Sequence, residues 1–191
     1  MSAVNIAWRW WMHGKLFWND PDMIAIRDPE TAETASEVFR IETPFRDLSC
    51  GSGPVFNLIE AKTWMTFCVL SGGLFTLGDR MEKLNEAGRK IVAKAIENLS
   101  STAAKPVDFY EPGLPALYLQ IDKACVRLGV FNWRQKTQTI RVHTDNLIDI
   151  PHRTVLDEIW SEKPKIWEGP FDVEVPAHRC LFYRFPFYAA S

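Results

Sequence analysis

Leu16-Phe17-Trp18-Asn19-Asp20-Pro21-Asp22-Met23-Ile24 is the stretch on which the fold turns. It begins as an apolar, aromatic run of strand type. It then meets Asn-Asp-Pro-Asp, which no buried strand carries in its middle. Pro21 removes a ladder donor, and Asp20 before it is pushed toward an extended conformation. The run therefore predicts a strand that ends near Asn19, with two carboxylates at its C-terminal tip. Asp20 and Asp22 are two apart, so an extended chain sends both to one side, roughly 7 Å apart at Cα.

Two readings of these acids stand side by side. One is an Asx-rich turn with solvated carboxylates, since Asp-Pro-Asp is ordinary turn chemistry. The other is a pair of carboxylates of the kind that acts on glycosidic bonds. The position favours taking the second seriously, because α/β barrels meet their ligands at the C-terminal ends of their strands.

Working outward, Val4, Ala7, Trp8 and Trp11 fall at helical spacing, with Ser2 as a cap and Gly14 suited to a left-handed end. His13 then sits at a helix end, as a partner for its dipole. Trp8, Trp10 and Trp11 read as an outer helix packing inward, or as a platform for sugar stacking. Arg9 and Arg27 read as surface or ion-pair residues. Residues 27–53 form a long polar connection. Within it Asp28 and Pro29 can start a helix over Thr31–Phe39. Pro54 opens a helix running to about Leu70, with Leu58, Ala61, Met65 and Cys68 on one face and apolar residues nearly all round. Ser71-Gly72-Gly73 stops it, and Leu74–Leu77 is a short buried strand. Asp79 then caps a third helix, with Glu82 as its capping-box partner. Met81, Leu84, Ile91, Val92 and Ala95 are its inner face, Glu86–Lys90 is an exposed pair, and its end is near Asn98.

The order helix–strand–loop–helix–strand–helix is that of a parallel α/β fold. Two strands cannot make a sheet covered on both faces, still less a barrel of about 250 residues. This half is expected to be a piece of something larger. Ser100–Lys105 reads as a linker, and after it the period changes. Ala116–Ile121, Ala124–Trp133, Thr137–Val142, Arg153–Glu158, Phe171–Val175 and Cys180–Phe185 are short strand-like runs between Pro, Gly, Asn and Asp, the pattern of an antiparallel β-sandwich. The division is 1–101 and 102–191.

Composition bounds the function. The chain has 191 residues, 47% of them hydrophobic, with 8 Trp and 12 Phe to build a core. A net charge of -2 gives no electrostatic case for nucleic acid or an anionic membrane. The longest apolar segment, near Trp64–Leu70, is too short to span a bilayer. Four Cys, at 50, 68, 125 and 180, lack metal-ligand spacing, so no metal is expected. They suit a reducing compartment. The first residues carry Arg9 and three Trp rather than a smooth apolar stretch, so no signal peptide and a cytoplasmic location are expected.

The residues Trp18-Asn19-Asp20-Pro21-Asp22-Met23 and Leu70-Ser71-Gly72-Gly73-Leu74-Phe75-Thr76-Leu77-Gly78-Asp79-Arg80, at barrel-like spacing, resemble the α-galactosidase (melibiase) clan of glycoside hydrolases, families 27 and 36. Gly129-Val-Phe-Asn-Trp133 and Pro176-Ala-His178 resemble its C-terminal β-sandwich. The resemblance implies the C-terminal portion of a (β/α)8 barrel, strands seven and eight, followed by the sandwich. It implies a retaining exo-α-glycosidase without cofactor, whose nucleophile and acid/base Asp residues both lie before Met1. No residue of this chain inherits a catalytic role. Asp22 and Met23 match the pair lining the sugar subsite, while Trp18, Asn19 and Asp20 shape the tip. Asp79 matches an acid at the end of strand eight, although an N-cap accounts for it fully. His178 reads as a strand-turn residue.

The partners this implies are an α-galactoside-type carbohydrate and the missing N-terminal part of the barrel, or a partner chain supplying it. Alternatives within the clan are an α-N-acetylgalactosaminidase and a raffinose synthase. Outside catalysis, the alternative is a carbohydrate-binding or partner module. Alone, the chain is expected to be inactive, because a retaining mechanism needs carboxyls about 5–5.5 Å apart, one of them with its pKa raised by burial.

Overall fold

The second half of the helix Leu58–Leu70, from Met65 on, is buried on every side, and covering it sets the architecture. A computed structural model describes residues 2–27, 31, 56–109, 113–123, 125–144 and 147–187. The element order is α1 (Ser2–Arg9), α2 (Leu58–Leu70), α3 (Glu86–Glu97), then β1 (Lys105–Pro106), β2 (Leu117–Ile121), β3 (Cys125–Phe131), β4 (Gln138–Val142), β5 (Thr154–Glu158), β6 (Pro164–Trp167), β7 (Phe171–Val175) and β8 (Cys180–Pro186). The expected helix over Thr31–Phe39, the start at Pro54 and most of the 27–53 connection lie outside the described residues.

α2 starts at Leu58, with Asn57 as its N-cap. The Asn57 side chain accepts from the Glu60 backbone N–H, and the Glu60 side chain accepts from that of Asn57. That reciprocal pair satisfies two orphan donors. Met65, Phe67, Cys68, Val69 and Leu70 are then buried between α1 and α3 on one side and a large sheet on the other.

The sandwich expectation holds in its strands and gains two more. One sheet has six strands in the order β1-β2-β3-β8-β5-β6; β4 and β7 form a second. All pairs are antiparallel, with β3 and β8 in register from Cys125↔Pro186 to Phe131↔Cys180. Strand alternation sorts the large sheet's two faces. Tyr118, Phe131, Cys180 and Phe182 join the core around α2. Leu117, Leu119, Val126, Leu128, Val130 and Phe185 join a second core with Val142 and Val175 of the small sheet. Gly129 makes the first contact close, since a Cβ there would stand 2.5 Å from Leu70 Cδ1.

The expected linker is part of the structure. Lys105–Pro106 pairs with β2, Ala104 N–H donates to Leu70 O at 2.8 Å, and Gln120 Nε2 donates to Thr102 O at 2.6 Å. β6 begins on Pro164 at the sheet's edge, where a missing N–H costs nothing.

The first half departs further from expectation. α1 buries Ala3, Ile6 and Ala7, while Val4, Trp8 and Trp11 are exposed. Small residues let its backbone close on the core, and the tryptophans face outward. α3 starts at Glu86 with Asn85 as cap, so Asp79 caps nothing and Met81 is exposed in a single 3₁₀ turn, Met81–Lys83. Leu84, Ile91, Val92 and Ala95 are buried as expected. Leu16–Asn19 and Leu74–Leu77 are neighbours but not regular strands. Among the described residues one backbone bond joins them, Leu74 N–H to Asn19 O at 2.9 Å, and the parallel bridge Ile24↔Leu77 forms only beyond the tip. A parallel pair needs flanking strands to be covered and held, and the described residues add only the isolated His13↔Phe17 bridge.

Candidate functional site at the Trp18–Met23 tip

The strand was expected to end at Asn19. Instead the chain leaves its neighbour there and returns at Ile24. Ile24 donates to Thr76 O at 2.8 Å and accepts from Gly78 N–H at 2.7 Å. Counted in parallel register, Asn19 stands opposite Gly73 and Ile24 opposite Leu77, five steps against four. One residue is extra, and Asp22 takes it up at φ 75. That is bulge chemistry: an added residue re-aims its neighbours, and Asp tolerates the left-handed region better than most. The acids are thus not on one face of an extended tip. Asp20 Oδ1 accepts from Asp22 N–H at 2.9 Å, and Asp22 Oδ1 from Met23 N–H at 2.7 Å. The turn reading was right about the local bonds. It leaves one oxygen of each exposed carboxylate available.

Asn19 anchors this bulge from below. It is buried, its N–H donates to His13 Nδ1 at 3.0 Å, and its Nδ2 donates to Ser71 O at 2.8 Å. Gly73 lets the two segments touch; a Cβ there would lie 1.8 Å from Asn19 O. His13 is a pin rather than a dipole partner. With Nδ1 accepting from Asn19, its Nε2–H donates to Ser101 O at 3.0 Å. Its ring also meets Trp18 edge to face, centroids 4.9 Å apart. Neither role is visible in spacing, because the partners are fixed by the fold.

The result is an open hollow of about 550 Å³ bounded by Phe17, Trp18, Asn19, Asp20 and Asp22, and by Asn5 and Arg9 of α1. Three of the four expected subsite residues, Trp18, Asp20 and Asp22, come together there. Met23 does not line it; its Sδ lies over Gly78, where a Cβ would stand 2.5 Å away. Asn5 and Arg9, one turn apart on α1, are lining residues that sequence reasoning missed or placed on the surface.

Asp79 is elsewhere. Its Oδ1 accepts from Arg27 at 3.0 Å and its Oδ2 from Ile26 N–H at 2.6 Å, with the carboxylate fully buried. Both oxygens are used in holding the bridge region together. His178 sits at a turn, φ 57, with its ring 2.9 Å from Gln135 Oε1. Under the tip, burial first and then the Asp20 charge push the Cys68 thiol far up. The hollow offers hydrogen-bond acceptors, one guanidinium and an indole face, and suits a polyhydroxylated ring with one apolar side.

No family model and no curated protein matches this sequence. Solved structures do. The α-galactosidase I of Mortierella vinacea aligns with a TM-score of 0.64 at 15% identity, over 96% of this chain and 43% of that one. A family 27 β-L-arabinopyranosidase of Geobacillus stearothermophilus, in complex with arabinose, aligns with a TM-score of 0.73 at 15% identity, over 98% and 42%. The α-galactosidase of Saccharomyces cerevisiae, with raffinose, gives 0.58 at 13%, over 96% and 50%. This chain therefore has the fold of a part of the α-galactosidase-type glycoside hydrolases, over half or less of their length.

Proposed function

We propose that this chain supplies the sugar-contacting wall of a retaining α-galactosidase-type hydrolase whose nucleophile and acid/base stand on polypeptide outside it. Asp22 and Asp20 accept hydrogen bonds from sugar hydroxyls through their free oxygens, and Trp18 covers the apolar side of the ring. Arg9 adds a donor at the rim. What supports this is one observation above all: the Asp22 bulge, tied down through Asn19, holds two exposed carboxylates and an exposed indole around a single hollow. A mere surface turn needs no buried asparagine with three tethers beneath it.

The test is hydrolysis of p-nitrophenyl-α-galactoside by two preparations. The chain alone is expected to release no nitrophenolate. A fusion that adds the rest of the barrel from the Geobacillus enzyme is expected to turn over an α-galactoside or β-L-arabinopyranoside. Asp22→Ala in that fusion is expected to lower kcat/KM by roughly 5- to 150-fold, the cost of an unpaired sugar hydroxyl at about 1–3 kcal/mol. Turnover by the chain alone, or unchanged kinetics in Asp22→Ala, overturns the assignment.

A further inference from the structure

α2 carries the sugar tip near its C-terminal end, through Ser71 and Asn19. Roughly 18 Å away along its axis, at the Leu58 end, lies a cleft with different chemistry. Two hollows, of about 320 and 330 Å³, adjoin there and share Leu58, Lys62, Trp160 and Ser161. They lie between α2, α3 and the connection from β5 to β6.

Trp160 is a fixed wall. Its Nε1–H donates to Thr66 Oγ1 at 2.8 Å, and its ring is tilted against Phe182 with centroids 6.5 Å apart. Around it the charges are unbalanced. Lys62, Lys90, Lys94 and Arg179 line the two hollows, against the acids Glu158 and Glu162. Glu158 accepts from the Ser161 and Phe182 backbone N–H groups, at 2.5 and 3.0 Å. Glu162 accepts from Lys94 at 2.6 Å. Four cations less two acids leave an excess of two positive charges, on a chain whose net charge is -2. Among the described residues, Lys62, Lys90 and Arg179 form no ion pair within 4 Å, so the Glu86–Lys90 pair expected from spacing is not made, while the Lys90 charge acts from farther off on Glu162. Lysines along a helix are ordinarily a solvated face. Here Lys62 borders both hollows, with Arg179 in one and Lys90 in the other, on either side of a rigid indole and the Leu58 side chain.

We propose that this cleft binds a small aromatic anion, a carboxylate or phosphate monoester on a flat ring. The ring stacks on Trp160 and Leu58; the anionic group sits among Lys62, Lys90 and Arg179. Each hollow is of the size that takes a small organic ligand. Apolar walls weaken the screening of the charges that meet there. The site is separate from the sugar tip and does not depend on it.

The probes are phenyl phosphate and 4-phenylbutyrate, titrated into the 191-residue chain by calorimetry and by ¹H–¹⁵N NMR of the tryptophan indoles. Benzyl alcohol is the neutral control. Saturable binding of either anion, at least about tenfold tighter than the alcohol and shifting the Trp160 indole signal, supports the proposal. Lys62→Met with Arg179→Met is expected to weaken it at least about tenfold, while Asp22→Ala leaves it unchanged. If the double variant does not fold, Lys90→Glu, at an exposed position, takes its place with the same expected loss. Binding of neither anion, equal binding of the alcohol, an unmoved Trp160 signal, or indifference to the charge variants overturns it.

Discussion

Asp22 and Asp79 are both carboxylates beside the same parallel bridge, and their surroundings give them opposite work. Asp79 spends both oxygens on Arg27 and Ile26. Removing one side of a buried pair strands the other, so Asp79→Asn is expected to lower unfolding free energy by about 3 kcal/mol in urea titration. A change under about 0.5 kcal/mol would mean the pair is solvated. Sequence spacing suggested an N-cap for Asp79 because Asp and Glu three apart open many helices. Its true partners lie 52 and 53 residues away, which no local pattern carries. The buried thiols make a separate statement. Burial chiefly, partly offset by hydrogen bonding with Thr66 and Thr63, raises Cys180 from its usual value near 9 to about 11. The unfolded chain loses that proton first, so stability is intact below pH 9 and falls as pH rises from about 9 to about 11. Alkaline melting curves that rise over that window would contradict the burial of Cys180.

At the scale of elements, the antiparallel strands of the second half were legible and the elements of the first half only in outline. β4, β5 and β7 alternate in and out, as a half-covered sheet dictates. β1 and β6 were not seen: one is two residues long, the other opens on a proline, and both exist only by pairing. The inner face of α1 was misread because bulky apolar residues surround it; the helix buries its alanines and Ile6. Trp18, Asp20 and Asp22 border one hollow, but the shape of the tip was not expected. An extra residue in a parallel register shows only when both neighbours are in view. Gly73 tests that shape. A Cβ 1.8 Å from Asn19 O must push the segments apart, so Gly73→Ala is expected to cost about 3 kcal/mol or more. Gly14→Ala, at a positive φ that Gly73 does not share but in open space, should cost only about 1 kcal/mol. Equal losses by thermal unfolding would deny the close approach.

Over the whole molecule, burial is one-sided. The β2-β3-β8 centre of the large sheet is covered on both faces, yet Trp8, Trp11, Leu16, Phe17, Trp18 and Met23 stand exposed in the first half, Leu16 at 73%. Surfaces of that kind associate. Sedimentation is expected to show mass increasing with concentration; a sharp monomer at about 100 μM, melting reversibly in two states, would contradict it. The same exposed indole is the reporter for the sugar wall. The most direct measurement is the ¹H–¹⁵N indole signal of Trp18 during titration of the chain with methyl α-galactoside, repeated in Asp22→Ala. A saturable shift in the parent chain that disappears in the variant is the predicted result. A Trp18 signal that never moves, or moves equally in both proteins, contradicts the assignment of this bulge to sugar recognition.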